Sequence, residues 1–258
     1  MDKKYQAILF CLGLVLLVFL VWKFFPVSVK KINFGQKFQI SYIDSKQPRF
    51  ERYKKLFATS SVAEGITKAI NRFSIDKPFK LVFGECGKQD FYFDEQKREI
   101  RACYEMVDAL GSAYTYDIRD VNEYDRAIVN STYYLVLHNI AHAVGNLPAT
   151  GSDSIADEIA ASIALSCGNQ CSENIFTGGL YFISKGDEKK MEQLSFSDER
   201  STNLSRFINY ACLAYGQNPK DKNWLIENKI IPENEALKCG QNYANLTEKY
   251  KNVFVEGQ

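Results

Sequence analysis

Histidine is nearly missing from this chain: 258 residues contain two, His138 and His142. Charge of one sign is also lacking. The formal net charge of +1 leaves no field for nucleic acid or for strongly acidic substrates. Internal repeats, low-complexity tracts and glycine-rich phosphate loops are absent, which excludes solenoids and nucleotide-cradling P-loops. One local absence is more informative. Between Arg126 and Lys185 there is no lysine or arginine, yet the interval carries Asp153, Asp157, Glu158 and Glu173. A buried carboxylate without a cation must be paired, solvated or protonated. With 46% hydrophobic and 24% charged residues, the rest reads as an ordinary globular protein.

Tyr5 to Phe25 is apolar apart from Gln6, Gly13 and Lys23. As a helix it would span about 30 Å, the thickness of a bilayer core. Signal-peptide cleavage wants small residues before the cut, whereas Trp22, Lys23, Phe24 and Phe25 follow this run. An uncleaved single-pass anchor therefore fits better. The implied organisation is a short cytoplasmic tail over residues 1–4, a transmembrane helix over 5–25, a juxtamembrane linker over 26–35 and one outer domain over 36–258. Lysines on both sides of the span do not set its orientation. Cysteine usage does: Cys11 lies in the span, and Cys86, Cys103, Cys167, Cys171, Cys212 and Cys239 make an even number beyond it. That fits disulfides in an oxidising compartment, the alternative being six buried thiols in a cytosolic domain.

Alternation of Phe38, Ile40 and Tyr42 with polar residues predicts a strand over 37–42, and Phe79 to Phe83 a second. Residues 91–93 and 98–101 can pair across the Asp94–Lys97 turn, and 50–73 has helical spacing split near Ser60. Beyond Cys103 the periodicity predicts helices over 103–112, 119–145, 153–166, 188–195, 200–216, 222–228 and 233–250. Few strands early and many helices late give an α+β class, mostly helical with a small N-terminal sheet.

His138 and His142 sit in the apolar stretch TYYLVLHNIAHAVG. A spacing of four places both imidazoles on one helix face a turn apart, which suits joint coordination of a metal ion such as zinc. The bland alternative is two core histidines bonded to backbone carbonyls. Three acids follow in SDSIADEIAASIAL, with Asp153 and Asp157 on one face and Glu158 toward its flank. Any of the three can be a third ligand. The residue after His138 is Asn139, where zinc peptidases of the HExxH type carry the glutamate that accepts the proton of the attacking water. An amide cannot take that proton, and loss of general-base help costs about 100- to 10,000-fold in rate.

Three blocks in order carry a family resemblance: CGKQDFYFDEQKREIRACYEMVD, LHNIAHAVGNLPATGSDSIADEIAA and FINYACLAYGQNPKDKNWLIENKIIPENEALKCGQNY. Over residues of about 80 to 252 the chain resembles a bacterial metallopeptidase-like family still classed as a domain of unknown function. The resemblance implies a zincin-like fold and pairings Cys86–Cys103 and Cys212–Cys239, which leaves Cys167 and Cys171 either closing a small loop of their own or standing as two free thiols at the end of a buried helix. It assigns His138 and His142 as zinc ligands and puts Asn139 at the catalytic glutamate. The family's Glu-x-x-x-Asp pair, anchored at Gly151, falls on Ser154 and Glu158.

The resulting expectation is a membrane-anchored, extracytoplasmic metallopeptidase-like protein of the bacterial inner membrane, catalytically impaired or inactive, with a peptide or protein as partner. Two alternatives stand beside it. One is an active zinc metallopeptidase using Glu158 or Asp157 as a displaced base. The other is an interaction module without metal.

Overall fold

The computed structural model describes residues 33–34, 37–73, 75–114, 118–148, 151–184 and 203–251, all within one compact unit, Ile32–Gln258. Among these residues no helix is long and apolar enough to cross a membrane. The span expected over 5–25 and the helix expected over 188–195 lie outside them.

Five strands form one sheet in the order β1-β2-β3-β5-β4: β1 (Asn33–Phe34), β2 (Phe38–Tyr42), β3 (Phe79–Gly84), β4 (Phe91–Asp94) and β5 (Glu99–Cys103). The sheet thus reaches into the stretch read from sequence as a linker. β2, β3 and β5 are mutually parallel, while β4 returns antiparallel on β5 and forms one edge. The sequence of β3 agrees with its place: apart from Lys80, all its residues are buried, as expected of a central parallel strand covered on both faces.

Two short helices, α1 (Pro48–Ala58) and α2 (Ser61–Ile70), connect β2 to β3. Pro48 opens α1 at a position where a missing N–H costs nothing, and the Ser60 hydroxyl caps α2 by accepting from Val62 N. The helical layer continues with α3 (Tyr104–Tyr114), α4 (Val121–Gly145), α5 (Asp153–Ser166), α6 (Asn169–Ser184), α7 (Asn203–Gln217), α8 (Trp224–Glu227) and α9 (Ala236–Tyr250). A 3₁₀ turn, Glu233–Glu235, precedes α9.

The histidines lie on α4, a helix of 25 residues. Asp120 caps its start by accepting from Glu123 N, and Asn146 ends it in the left-handed region at φ 50°. From Ala127 to Val144 this helix is buried on nearly every side, which marks it as the central rod. Arg98, in the β4–β5 turn, fastens its last turn to the sheet. Its guanidinium donates to the Ala143 carbonyl (2.8 Å), the Lys77 carbonyl (3.2 Å) and Asn146 Oδ1 (3.2 Å).

α6 has no counterpart in the periodicity reading. Gly178 and Gly179 interrupt its pattern, and glycine ordinarily weakens a helix. Packing gives the reason for the first of them. A Cβ on Gly178 would stand 2.2 Å from the Asn130 carbonyl oxygen, so the two helices meet backbone to backbone. Ser131 completes the joint by donating to the Gly178 carbonyl (2.9 Å) while accepting from the Tyr114 hydroxyl (2.7 Å).

Among the described residues there are three disulfides. Cys86–Cys103 ties the exit of β3 to the end of β5, Cys167–Cys171 closes the turn between α5 and α6, and Cys212–Cys239 joins α7 to α9.

Candidate metal centre

Helical spacing brings the rings of His138 and His142 together, with centroids 4.8 Å apart and Nε2 atoms 3.2 Å apart. Asp153, in the first turn of α5, adds its Oδ1 at 3.0 Å from His138 Nε2 and 3.5 Å from His142 Nε2. The three donor atoms lie within 4.8 Å of one another, with His142 buried and the other two half-buried.

Asp157, one turn further along α5, does something different. Its Oδ1 lies 2.7 Å from His138 Nδ1, and its Oδ2 accepts from Arg206 Nε at 3.2 Å. An ionised carboxylate only accepts, so Nδ1 carries the hydrogen. The other ring nitrogen of His138, Nε2, faces Asp153 and His142. Glu158 turns to the other flank, where its Oε2 accepts from the Tyr250 hydroxyl (3.0 Å) and pairs with Lys249. Of the three acids left open by the sequence, Asp153 meets the Nε2 atoms of both histidines, while Asp157 contacts His138 from behind, at Nδ1.

The stretch without local cations therefore does not leave its acids uncompensated. Arg206 on α7 reaches Asp157, Lys249 on α9 reaches Glu158, and Lys222 reaches Glu173. None of these pairings left a trace in the sequence pattern, because each joins segments 49 to 91 residues apart. Ser154, marked by the family register, lines the same cavity beside Asp153.

The donor set fits a zinc ion. Two imidazole nitrogens and one carboxylate oxygen are a three-protein-ligand set of catalytic zinc sites. A carboxylate behind one imidazole is the usual outer partner that fixes its tautomer. His142 also favours the form that coordinates. Burial pushes its pKa below the ordinary 6.5, and the neighbouring His138 adds to this, against the opposing pull of Asp153.

Asn139 lines the same cavity and donates its amide to the Phe91 carbonyl of β4 at 3.3 Å. Tyr133, whose ring packs edge-on against Phe57 and Phe83, belongs to the core. Tyr134, by contrast, lines the cavity with the histidines, and burial together with the Asp157 charge holds its hydroxyl protonated. Glu105 serves the Cys86 loop, accepting from the backbone N–H groups of Cys86 (3.0 Å) and Gly87 (2.7 Å).

A family model described as "Putative metallopeptidase" matches residues 42–254. The chain belongs to that family. No curated protein and no solved structure matches it at a significant level. The family match covers β3 to β5 and all the described helices, so the histidine pair, Asp153 and the cavity around them all fall within the metallopeptidase-family region.

Proposed function

We propose that this metallopeptidase-family protein keeps a metal centre of the zincin type but hydrolyses peptides very slowly or not at all, and acts by binding. The observation that carries this reading is Asn139. It stands in the sequence position of the HExxH glutamate, and its amide donates to the Phe91 carbonyl. An amide, here already donating to a main-chain oxygen, has no lone pair of sufficient basicity for the proton-transfer step.

His138, His142 and Asp153 would hold the ion. Bound zinc supplies Lewis-acid chemistry, polarising a carbonyl and acidifying a water ligand. The chain's own residues do the rest. Asp157 keeps the His138 hydrogen on Nδ1, and Arg206 holds Asp157 in place. The β4 edge, Phe91 to Phe93, lines the cavity and offers an extended peptide a strand to lie against. Glu158 offers little support for a displaced base, since Lys249 and Tyr250 already engage it.

The same proposal includes location. The apolar run over 5–25 suits a single-pass anchor in a bacterial inner membrane. Three disulfides suit an extracytoplasmic domain. Protease accessibility of the domain in spheroplasts tests this side of the reading.

Zinc content and peptidase assays of the full chain test the centre. One zinc per chain is expected, lost in His142→Ala, with no chelator-sensitive hydrolysis. Robust hydrolysis abolished by chelator and by His138→Ala would show a working peptidase. Absence of any ion under metal-replete conditions would favour an interaction module instead.

A further inference from the structure

His138, His142 and Asp153 line a cavity of about 710 Å³. That volume falls among ligand sites rather than packing defects. Its lining also includes Ala160, Ala161 and Ala164 of α5, Leu213 of α7 and Leu246 of α9. Asp157, Ala161 and Ala164 share a face of α5, so this apolar lining adjoins the residue that holds His138.

Its electrostatics are specific. Beside the histidines and Asp153, the charged groups that line it are paired, Asp157 with Arg206 and Glu158 with Lys249. A charged ligand side chain entering here would lose its water and find no uncommitted counter-ion. The mouth is polar but neutral. Asn209, Asn242 and Asn245 are exposed around it and, among the described residues, make no side-chain hydrogen bond. Each amide offers both a donor and an acceptor, which is what a peptide main chain requires.

We propose that this cavity is a side-chain subsite for a large uncharged apolar residue, phenylalanine or leucine, of a peptide whose adjoining main chain is held by Asn209, Asn242 and Asn245. The proposal rests on the peptide-binding reading above and adds the class of residue selected. Alanines on α5 leave the volume that the incoming side chain fills. The matched ion pairs make the pocket reject glutamate and lysine.

Binding of blocked hexapeptides to the full chain tests it, using a set identical except for one central residue: phenylalanine, alanine, glutamate or lysine. The phenylalanine peptide is expected to bind at least tenfold more tightly than each of the others. Ala160→Leu narrows the cavity at a half-buried position, and should remove most of that advantage while leaving the alanine peptide within threefold. Leu213→Ala should instead favour a larger aromatic such as tryptophan. Equal affinities across the set, binding to none, or a preference untouched by Ala160→Leu would overturn the subsite. Zinc content, measured on the same samples, keeps the two readings apart. Zinc without a side-chain preference sinks the subsite alone. A preference that persists in a protein binding no zinc leaves the subsite standing and sinks the metal centre.

Discussion

Neutralising the three acids of α5 one at a time should give three different zinc affinities. Asp153→Asn removes the carboxylate that meets both histidine Nε2 atoms at 3.0 and 3.5 Å, so a charged ligand is lost. Asp157→Asn leaves the ligand set whole but weakens the acceptor behind His138 Nδ1, 2.7 Å away. Loss of such an outer partner typically costs about 10- to 100-fold in metal affinity, or roughly 1.4–2.7 kcal/mol. Asp153→Asn should cost more than that. Glu158→Gln touches the Tyr250 hydroxyl and a Lys249 pair whose side chains are 38% and 53% exposed, the pair worth roughly 0.2–1 kcal/mol of stability, and should leave zinc affinity within about threefold. Competition against a chromophoric zinc chelator at fixed pH reads all three, with thermal unfolding as the check on folding. If Glu158→Gln weakens zinc as much as Asp153→Asn, or if Asp157→Asn binds like the parent, the assignment of roles on α5 is wrong.

Three further outcomes are expected. Asn139→Glu replaces an amide donor to the Phe91 carbonyl by a carboxylate that cannot donate, so it should lower stability by about 1–3 kcal/mol in denaturant unfolding even where it raises hydrolysis. Gly178→Ala drives a Cβ into the Asn130 carbonyl at 2.2 Å, and a loss of about 1–3 kcal/mol or more, seen as a lower denaturant midpoint, should follow. The pH prediction concerns the metal-free protein. His142 has its folded pKa below the ordinary 6.5, so its stabilising contribution is complete above that value. It is lost as pH falls toward the folded pKa, because the unfolded chain then binds the extra proton. Acid titration of unfolding free energy should show this loss beginning near 6.5, and His142→Gln should flatten that part of the curve.

Much of the local architecture was legible before any tertiary information. The strands over 37–42 and 79–83, the hairpin, the break near Ser60 and the helix over 153–166 all reappear within a few residues. Such features follow from alternation, capping and turn chemistry, which act over neighbouring residues. α6 was not legible, because the property that makes Gly178 useful is an approach to another helix. The span over 5–25 is a matter of its own sequence and lies outside the described residues.

At the centre the division is sharper. The sequence alone determined that His138 and His142 share a face and that Asp153 and Asp157 share another, since a helix repeats every 3.6 residues whatever surrounds it. It also determined that Asn139 cannot serve as a base, because that is a property of the amide itself. Only the tertiary structure decided which acid meets the histidines, which stands behind them, and where the compensating cations come from. Those choices depend on how α5 packs on α4 and how α7 and α9 pack against α5. Arg206 and Lys249 reach Asp157 and Glu158 from other helices, and no periodicity within one helix encodes that approach.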